Sequence, residues 1–153
     1  ADVRVLSGSC ERLSQPRFEH VVVCGTERPW GADFVLPSTT TEDLVLALSH
    51  TPDNVYALSG RAHAIFSGHL HGGQWRIPGV GALIVPSKYG RLFDRGHFVV
   101  DGTHLFVSAG LGADAPPVRV YCPPELLVVD FVGHESQGDA LARGASEAHG
   151  LVN

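Results

Sequence analysis

The chain is poor in the residues that most often identify a small protein. Of its 153 residues only three are cysteine, at positions 10, 24 and 122. The number is odd, the spacing is wide and no CxxC pair occurs, so neither a zinc ribbon nor a disulfide framework is expected. The run Val21-Val22-Val23 before Cys24 predicts small buried thiols, and a reducing compartment is the default. Lysine is scarcer still: Lys88 is the only one, and arginine supplies the other positive charges. With a formal net charge of −5 there is no basic footprint for nucleic acid. No apolar run approaches the ~20 residues needed to span a bilayer. The chain does not open with a basic start and an apolar core, so no signal peptide is expected. These absences place it in the cytoplasm or at the periphery of a membrane.

What remains has the bulk of a globular domain. Hydrophobic residues make up 44% and charged residues 18%, which lies outside the disordered range, and the length fits one domain with a real core. Residues 1–132 carry the apolar patterning, whereas 133–153 are small and polar without periodicity, predicting a disordered or loosely helical tail. Eighteen glycines and ten prolines indicate many turns.

Short strands are expected at residues 3–6 and 10–13, and a stronger, β-branched one at 18–23, ended by Gly25. Residues 32–43 are polar, with Pro37-Ser38-Thr39-Thr40-Thr41 reading as a linker. Residues 44–48 form a continuous apolar run, expected as a strand buried on both faces that delivers Ser49 and His50 at its end. One or two helical turns over 54–60, capped by Asp53 or Asn54 and stopped at Gly60, precede a further strand at 64–66. A strand is expected over 74–77. The clearest hairpin pairs 97–100 with 104–107 across Asp101-Gly102, a favoured tight-turn pair. A closing apolar strand is expected at 126–132.

The chain is organised around Phe66-Ser67-Gly68-His69-Leu70-His71-Gly72-Gly73-Gln74. Two imidazoles stand two residues apart at a strand end, and continued extension would turn them to one face. The flanking glycines let the backbone turn and leave room for ions. Imidazole is the commonest protein ligand for borderline metals. With nine histidines in the chain the pair alone is a weak signal.

The words around it are more specific. Ser67-Gly68-His69-Leu70-His71-Gly72-Gly73-Gln74 resembles the GHxH motif of the calcineurin-like metallophosphoesterases, in the bacterial branch of membrane-associated phosphodiesterases and UDP-diacylglucosamine-hydrolase-like enzymes. Leu48-Ser49-His50-Thr51-Pro52-Asp53 is similar to that branch's LSHxPD segment. The segments 86–91, 107–112 and 122–126 follow in the usual order. The loop 26–31 resembles a DDPW rim segment with Glu27 and Arg28 in place of the acidic pair; packing is expected of Trp30. The family's remaining blocks, DxH, GDxxD and GNHD, occur nowhere in the sequence.

The resemblance implies an α/β fold forming the C-terminal half of a four-layer αββα sandwich. It implies hydrolysis of a phosphoester or phosphodiester by two divalent transition metal ions (Mn, Zn or Fe). His50 and His69 would bind one metal and His71 the other. Lys88, Tyr89 and Arg91 would contact the phosphate, Arg in a bidentate way. The substrate would be a phosphoester such as a phospholipid or a nucleotide-linked lipid. The bridging carboxylates and the acid/base histidine would come from outside the chain, on a second polypeptide carrying the N-terminal half, and the chain alone would be inactive. A competing reading is a non-catalytic remnant serving as an accessory subunit. His20, His63, His97 and His104 are expected in structural or surface roles.

Overall fold

A computed structural model describes residues 3–26, 30–31 and 34–132. Its centre is one mixed sheet of six strands in the order β1-β2-β3-β4-β8-β7. The strands are β1 (Cys10–Arg12), β2 (Val21–Gly25), β3 (Leu44–Ser49), β4 (Ala64–Ser67), β7 (Gly96–Val100) and β8 (Thr103–Val107). β2, β3, β4 and β8 run parallel, while β1 and β7 pair antiparallel at the two edges. A small antiparallel pair, β5 (Arg76–Ile77) with β6 (Gly81–Ala82), stands apart. The only α-helix among the described residues is α1 (Val55–Leu58).

Alternation along the strands gives the sheet two unlike faces. Val22, Cys24, Val45, Ala47, Ile65, Leu105 and Val107 point into the core, where Val55 and Leu58 of α1, Phe34 and Phe93 cover them. On the opposite face Leu48, Phe66 and Phe106 are aligned in register, with Phe66 and Phe106 stacked at a centroid separation of 5.3 Å. Leu48 there is 46% exposed. Among the described residues one face of β3 carries the cover that was expected on both. The fold is α/β-like, a mixed sheet with few helices, as expected of part of a metallophosphoesterase domain.

Several local expectations are also revised. Residues 3–6 form no strand. Residues 126–132 form none either, because no strand among the described residues lies beside them to complete a ladder; Leu126 and Val128 are exposed and Phe131 leans edge-on against Phe66. The helical segment begins earlier, as a 3-10 turn over Pro52–Asn54 capped by Thr51, whose hydroxyl accepts from Asp53 N at 3.3 Å. Pro52 supplies the fixed φ that opens this turn. The hairpin is as expected: Asp101 and Gly102 both take positive φ, at 48° and 77°, as a tight two-residue turn requires.

Cys10 and Cys24 form a disulfide, which corrects the expectation of separate thiols. They are opposed residues of the antiparallel pair β1–β2, with Cα atoms 4.0 Å apart, so a pairing invisible in the spacing is made by register. The reducing-compartment default loses its basis with it. Cys122 is a free, buried thiol, as expected. Arg12 holds Asp43 through two hydrogen bonds, one of them Nη2 to Oδ2 at 2.9 Å, and ties the edge strand to the start of β3. No helix among the described residues is long and apolar enough to cross a membrane. The tail expected over 133–153 lies outside the described residues.

Candidate metal centre

Adjacent parallel strands end at one edge, and in such sheets that carboxyl edge is where ligands bind. Ser49 of β3, Ser67 of β4 and Val107 of β8 are in register, so the segments that follow them emerge side by side. These segments carry His50, then His69 and His71, then the loop 108–114. Gly68 N donates to His50 O at 3.3 Å and Ser108 N to Ser67 O at 3.0 Å, continuing the ladder past the strands.

His50 and His69 meet. His50 Nε2 lies 3.0 Å from His69 Nδ1, and the ring centroids are 4.4 Å apart. Two imidazoles on one tetrahedral zinc, each at ~2.0–2.1 Å, would hold their nitrogens about 3.3 Å apart, so the pair is spaced for one shared cation. The other nitrogen of His69, Nε2, is buried and has no hydrogen-bond partner among the described residues; Ser67 Oγ is in the same condition. Burial, and then the nearby His50, push the pKa of His69 down, keeping it in the neutral form that ligates. The donor set therefore fits a borderline divalent cation at His50 and His69.

His50 is held from below. Ser49 Oγ donates to Thr51 O at 2.9 Å and accepts from Asn54 Nδ2 at 2.9 Å, all three side chains being buried. Asp53, expected as a helix cap, instead accepts from Ser87 Oγ and from Lys88 N, the latter at 3.0 Å.

His71 follows on a tight turn. The extended geometry that would have aligned it with His69 does not continue past Ser67. His69 and His71 both take left-handed backbones, with φ of 71° and 49°, an uncommon state that tends to gather at functional sites. The turn cannot open out, because Gly72 sits where a Cβ would lie 2.8 Å from Cys122 Sγ and 3.1 Å from Ala109 Cβ. Arg76 Nη1 grips Gly72 O at 2.7 Å and Asp94 Oδ2 at 2.7 Å, fixing the turn further. His71 Nδ1 lies 2.9 Å from Gly112 O. A carbonyl can only accept, so Nδ1 carries the hydrogen and Nε2 is the free lone pair of the neutral ring.

Sequence reasoning missed three residues here. Asp114 Oδ2 stands 3.9 Å from His71 Nε2, on a loop that Gln74 clamps through Asp114 N, Asp114 O and Pro116 O. His71, Gln74, Asp114 and Pro116 line an open cleft of about 280 Å³. Trp30, expected to be packed, is 64% exposed and presents its ring edge-on to His69 at 5.8 Å. Arg119 binds the loop behind His71. No spacing in the sequence pointed to Asp114 or Arg119, whose positions depend on a long loop.

Lys88, Tyr89 and Arg91, expected to contact phosphate, have partners within the chain. Tyr89 packs with Tyr56 and Phe93, Lys88 Nζ stands over the Tyr89 ring at 5.0 Å, and Arg91 Nη1 donates to Val80 O at 2.8 Å. Among the described residues there is no group of three or more His, Cys, Asp or Glu that could hold a metal ion. Of the other histidines, His63 Nδ1 accepts from Val45 N at 2.9 Å, the structural role expected, and His97 and His104 pair with each other at 2.9 Å on β7 and β8.

A histidine pair thus meets at the carboxyl edge of a mostly parallel sheet, with a third histidine two residues on. The comparisons supply the class: over part of its length the chain resembles metallophosphoesterases, and the calcineurin-like resemblance stands. It is 36% identical over 86 residues to the uncharacterised metallophosphoesterase YkuE of Bacillus subtilis, covering 54% of this chain and 29% of that protein. An uncharacterised metallophosphoesterase of Aquifex aeolicus is 30% identical over 100 residues, 65% of this chain and 37% of that one. Phosphodiesterase YaeI of Escherichia coli is 27% identical over 134 residues, 86% of this chain and 48% of that protein. The matches thus span less than half the length of each relative. No family model and no solved structure matches the chain.

Proposed function

We propose that this chain contributes part of the metal site of a phosphoesterase, with His50 and His69 holding one divalent transition metal ion (Mn, Zn or Fe) and His71 a second. The observation that carries the reading is the 3.0 Å approach of His50 Nε2 to His69 Nδ1 at the carboxyl edge of the sheet. Bound cations of this kind supply a hydroxide at neutral pH and neutralise phosphoryl oxygens. The residues of the chain bind and orient. His50 is fixed by the Ser49–Asn54 network, His69 by burial, and His71 by its Nδ1 contact to Gly112 O. The turn over residues 71–73 sets the angle between the two positions.

Lys88, Tyr89 and Arg91 are proposed as substrate contacts. Support comes from the anchoring of Lys88 N by Asp53, three residues beyond His50, which ties the 86–91 loop to the metal edge. The substrate class proposed is a phosphoester or phosphodiester, a phospholipid or nucleotide-linked lipid among them. Carboxylate bridges and the acid/base histidine would be supplied from outside the chain by a polypeptide bearing DxH, GDxxD and GNHD. The second face of the sheet, where Leu48 is exposed beside half-buried Phe66 and Phe106, suits its packing there, each Å² of apolar burial contributing roughly 25 cal/mol.

The test is a phosphodiesterase assay of the chain, alone and with a polypeptide carrying the three missing motifs, in Mn²⁺ or Zn²⁺. Activity should appear in the mixture and drop by orders of magnitude with His71→Ala. Near-normal turnover in that variant would defeat the proposal.

A further inference from the structure

We infer that Arg119 is a positioning residue for His71, holding the loop that fixes which imidazole nitrogen faces the site. The role rests on the proposed metal site; its structural basis does not. The guanidinium sits among backbone carbonyls. Nη2 donates to Ala109 O at 2.8 Å, to Gly110 O at 3.1 Å and to Gly112 O; Nε donates to Gly112 O at 3.1 Å. Nη1 reaches His71 O and Cys122 O, each at 3.3 Å, with Cys122 Sγ at 3.7 Å.

All but the last acceptor are main-chain oxygens, so the side chain supplies the donors that these loop carbonyls require. With Nε and both terminal nitrogens engaged, Arg119 is poorly placed to grip a phosphate, and a positioning role follows. Gly112 O is the hinge of the argument. It accepts from Arg119 and also lies 2.9 Å from His71 Nδ1. Arg119 therefore touches His71 twice, through that shared carbonyl and through His71's own carbonyl. Glu125 completes the clamp: its Oε2 accepts from Ala109 N at 2.8 Å, and its N donates to Gly110 O at 3.0 Å.

Planarity matters here. A guanidinium presents several donors in one fixed fork, whereas an ammonium is a compact point charge that cannot satisfy carbonyls spread over four residues. Without the fork, the 109–112 carbonyls lose their donors and Gly112 O is no longer held at the imidazole. The ring is then free to place its hydrogen on Nε2, which blocks the lone pair meant for a ligand. Outer-shell partners of ligating histidines are commonly worth 10–100-fold in metal affinity.

The experiment uses the full chain labelled with ¹⁵N-histidine, free of metal, at pH about 8, where imidazole is neutral. Wild type should show His71 with its hydrogen on Nδ1. In Arg119→Gln the Nδ1–H population of His71 should fall several-fold, with the His97 and His104 signals unmoved. Zn²⁺ binding, measured separately by titration, should weaken about tenfold or more. Arg119→Lys should give an intermediate tautomer population. An unchanged His71 tautomer and Zn²⁺ affinity in Arg119→Gln would overturn the inference. So would global unfolding of both variants, since Arg119 would then serve the whole fold and not His71. If the tautomer shifts but His71→Ala leaves activity intact, the positioning stands and the phosphoesterase reading falls.

Discussion

His50 Nε2 and His69 Nδ1 lie 3.0 Å apart although 19 residues separate them in sequence. The approach follows from topology. β3 and β4 are parallel neighbours with Ser49 opposite Ser67, so whatever follows each strand is delivered to the same edge. A single hydrogen can bridge two neutral rings at this distance, as a cation can, and a metal titration tells the two apart. The depressed pKa of His69, caused first by burial, means that no proton need be displaced from it at neutral pH.

The Arg12–Asp43 pair predicts an acid-labile edge. Hydrogen bonding from Arg12, and then from Thr40 N, holds the Asp43 carboxyl far below the usual carboxylate range. The unfolded chain takes up a proton at Asp43 as pH drops through about 4, whereas the folded chain resists. The pair's contribution is thus fully present above that pH and is lost progressively below it. Asp43→Asn should lower the melting temperature by a few degrees at pH 7 and lessen its fall below pH 4. An identical pH profile for the variant, followed by circular dichroism, would contradict this.

The Cys10–Cys24 bond closes a loop across β1 and β2 and should be detectable as a mass two hydrogens lighter than the reduced chain. Cys10→Ala should destabilise the fold by about 2–4 kcal/mol in denaturant titration. Free thiol at all three cysteines in the purified native chain would refute the pairing.

How much of this could be read from the sequence depends on how local each signal is. The hairpin around Asp101-Gly102 was legible because two adjacent residues dictate the turn. The cores of β2, β3 and β4 were legible as apolar runs, and His50 and His69, which ordered motifs singled out, are brought together. Where register decides, the sequence was silent. Cys10 meets Cys24 only because β1 folds back antiparallel on β2. Residues 126–132 are apolar like a strand, yet nothing within the described residues offers them a ladder. The turn through His69 and His71, left-handed at both, brings Gly72 against Cys122 and Ala109, a contact across many residues of chain.

The uncovered face of the sheet makes a claim about solution behaviour. Leu48, Phe66 and Phe106 stand in one row across β3, β4 and β8, with His97 of β7 stacked on Phe106 at 4.5 Å. An apolar row of this kind tends to find a partner. The chain by itself should associate at micromolar concentration, and Leu48→Lys should reduce that association in light scattering. A monodisperse, cooperatively unfolding wild-type monomer would sink the prediction.

The most direct test of the metal assignment is a calorimetric titration of the full chain with Zn²⁺, repeated for His69→Ala. Lacking carboxylate bridges, wild type should bind at micromolar affinity or weaker, and the variant should lose at least tenfold. Equal affinity in both proteins would contradict the claim that His50 and His69 share a cation.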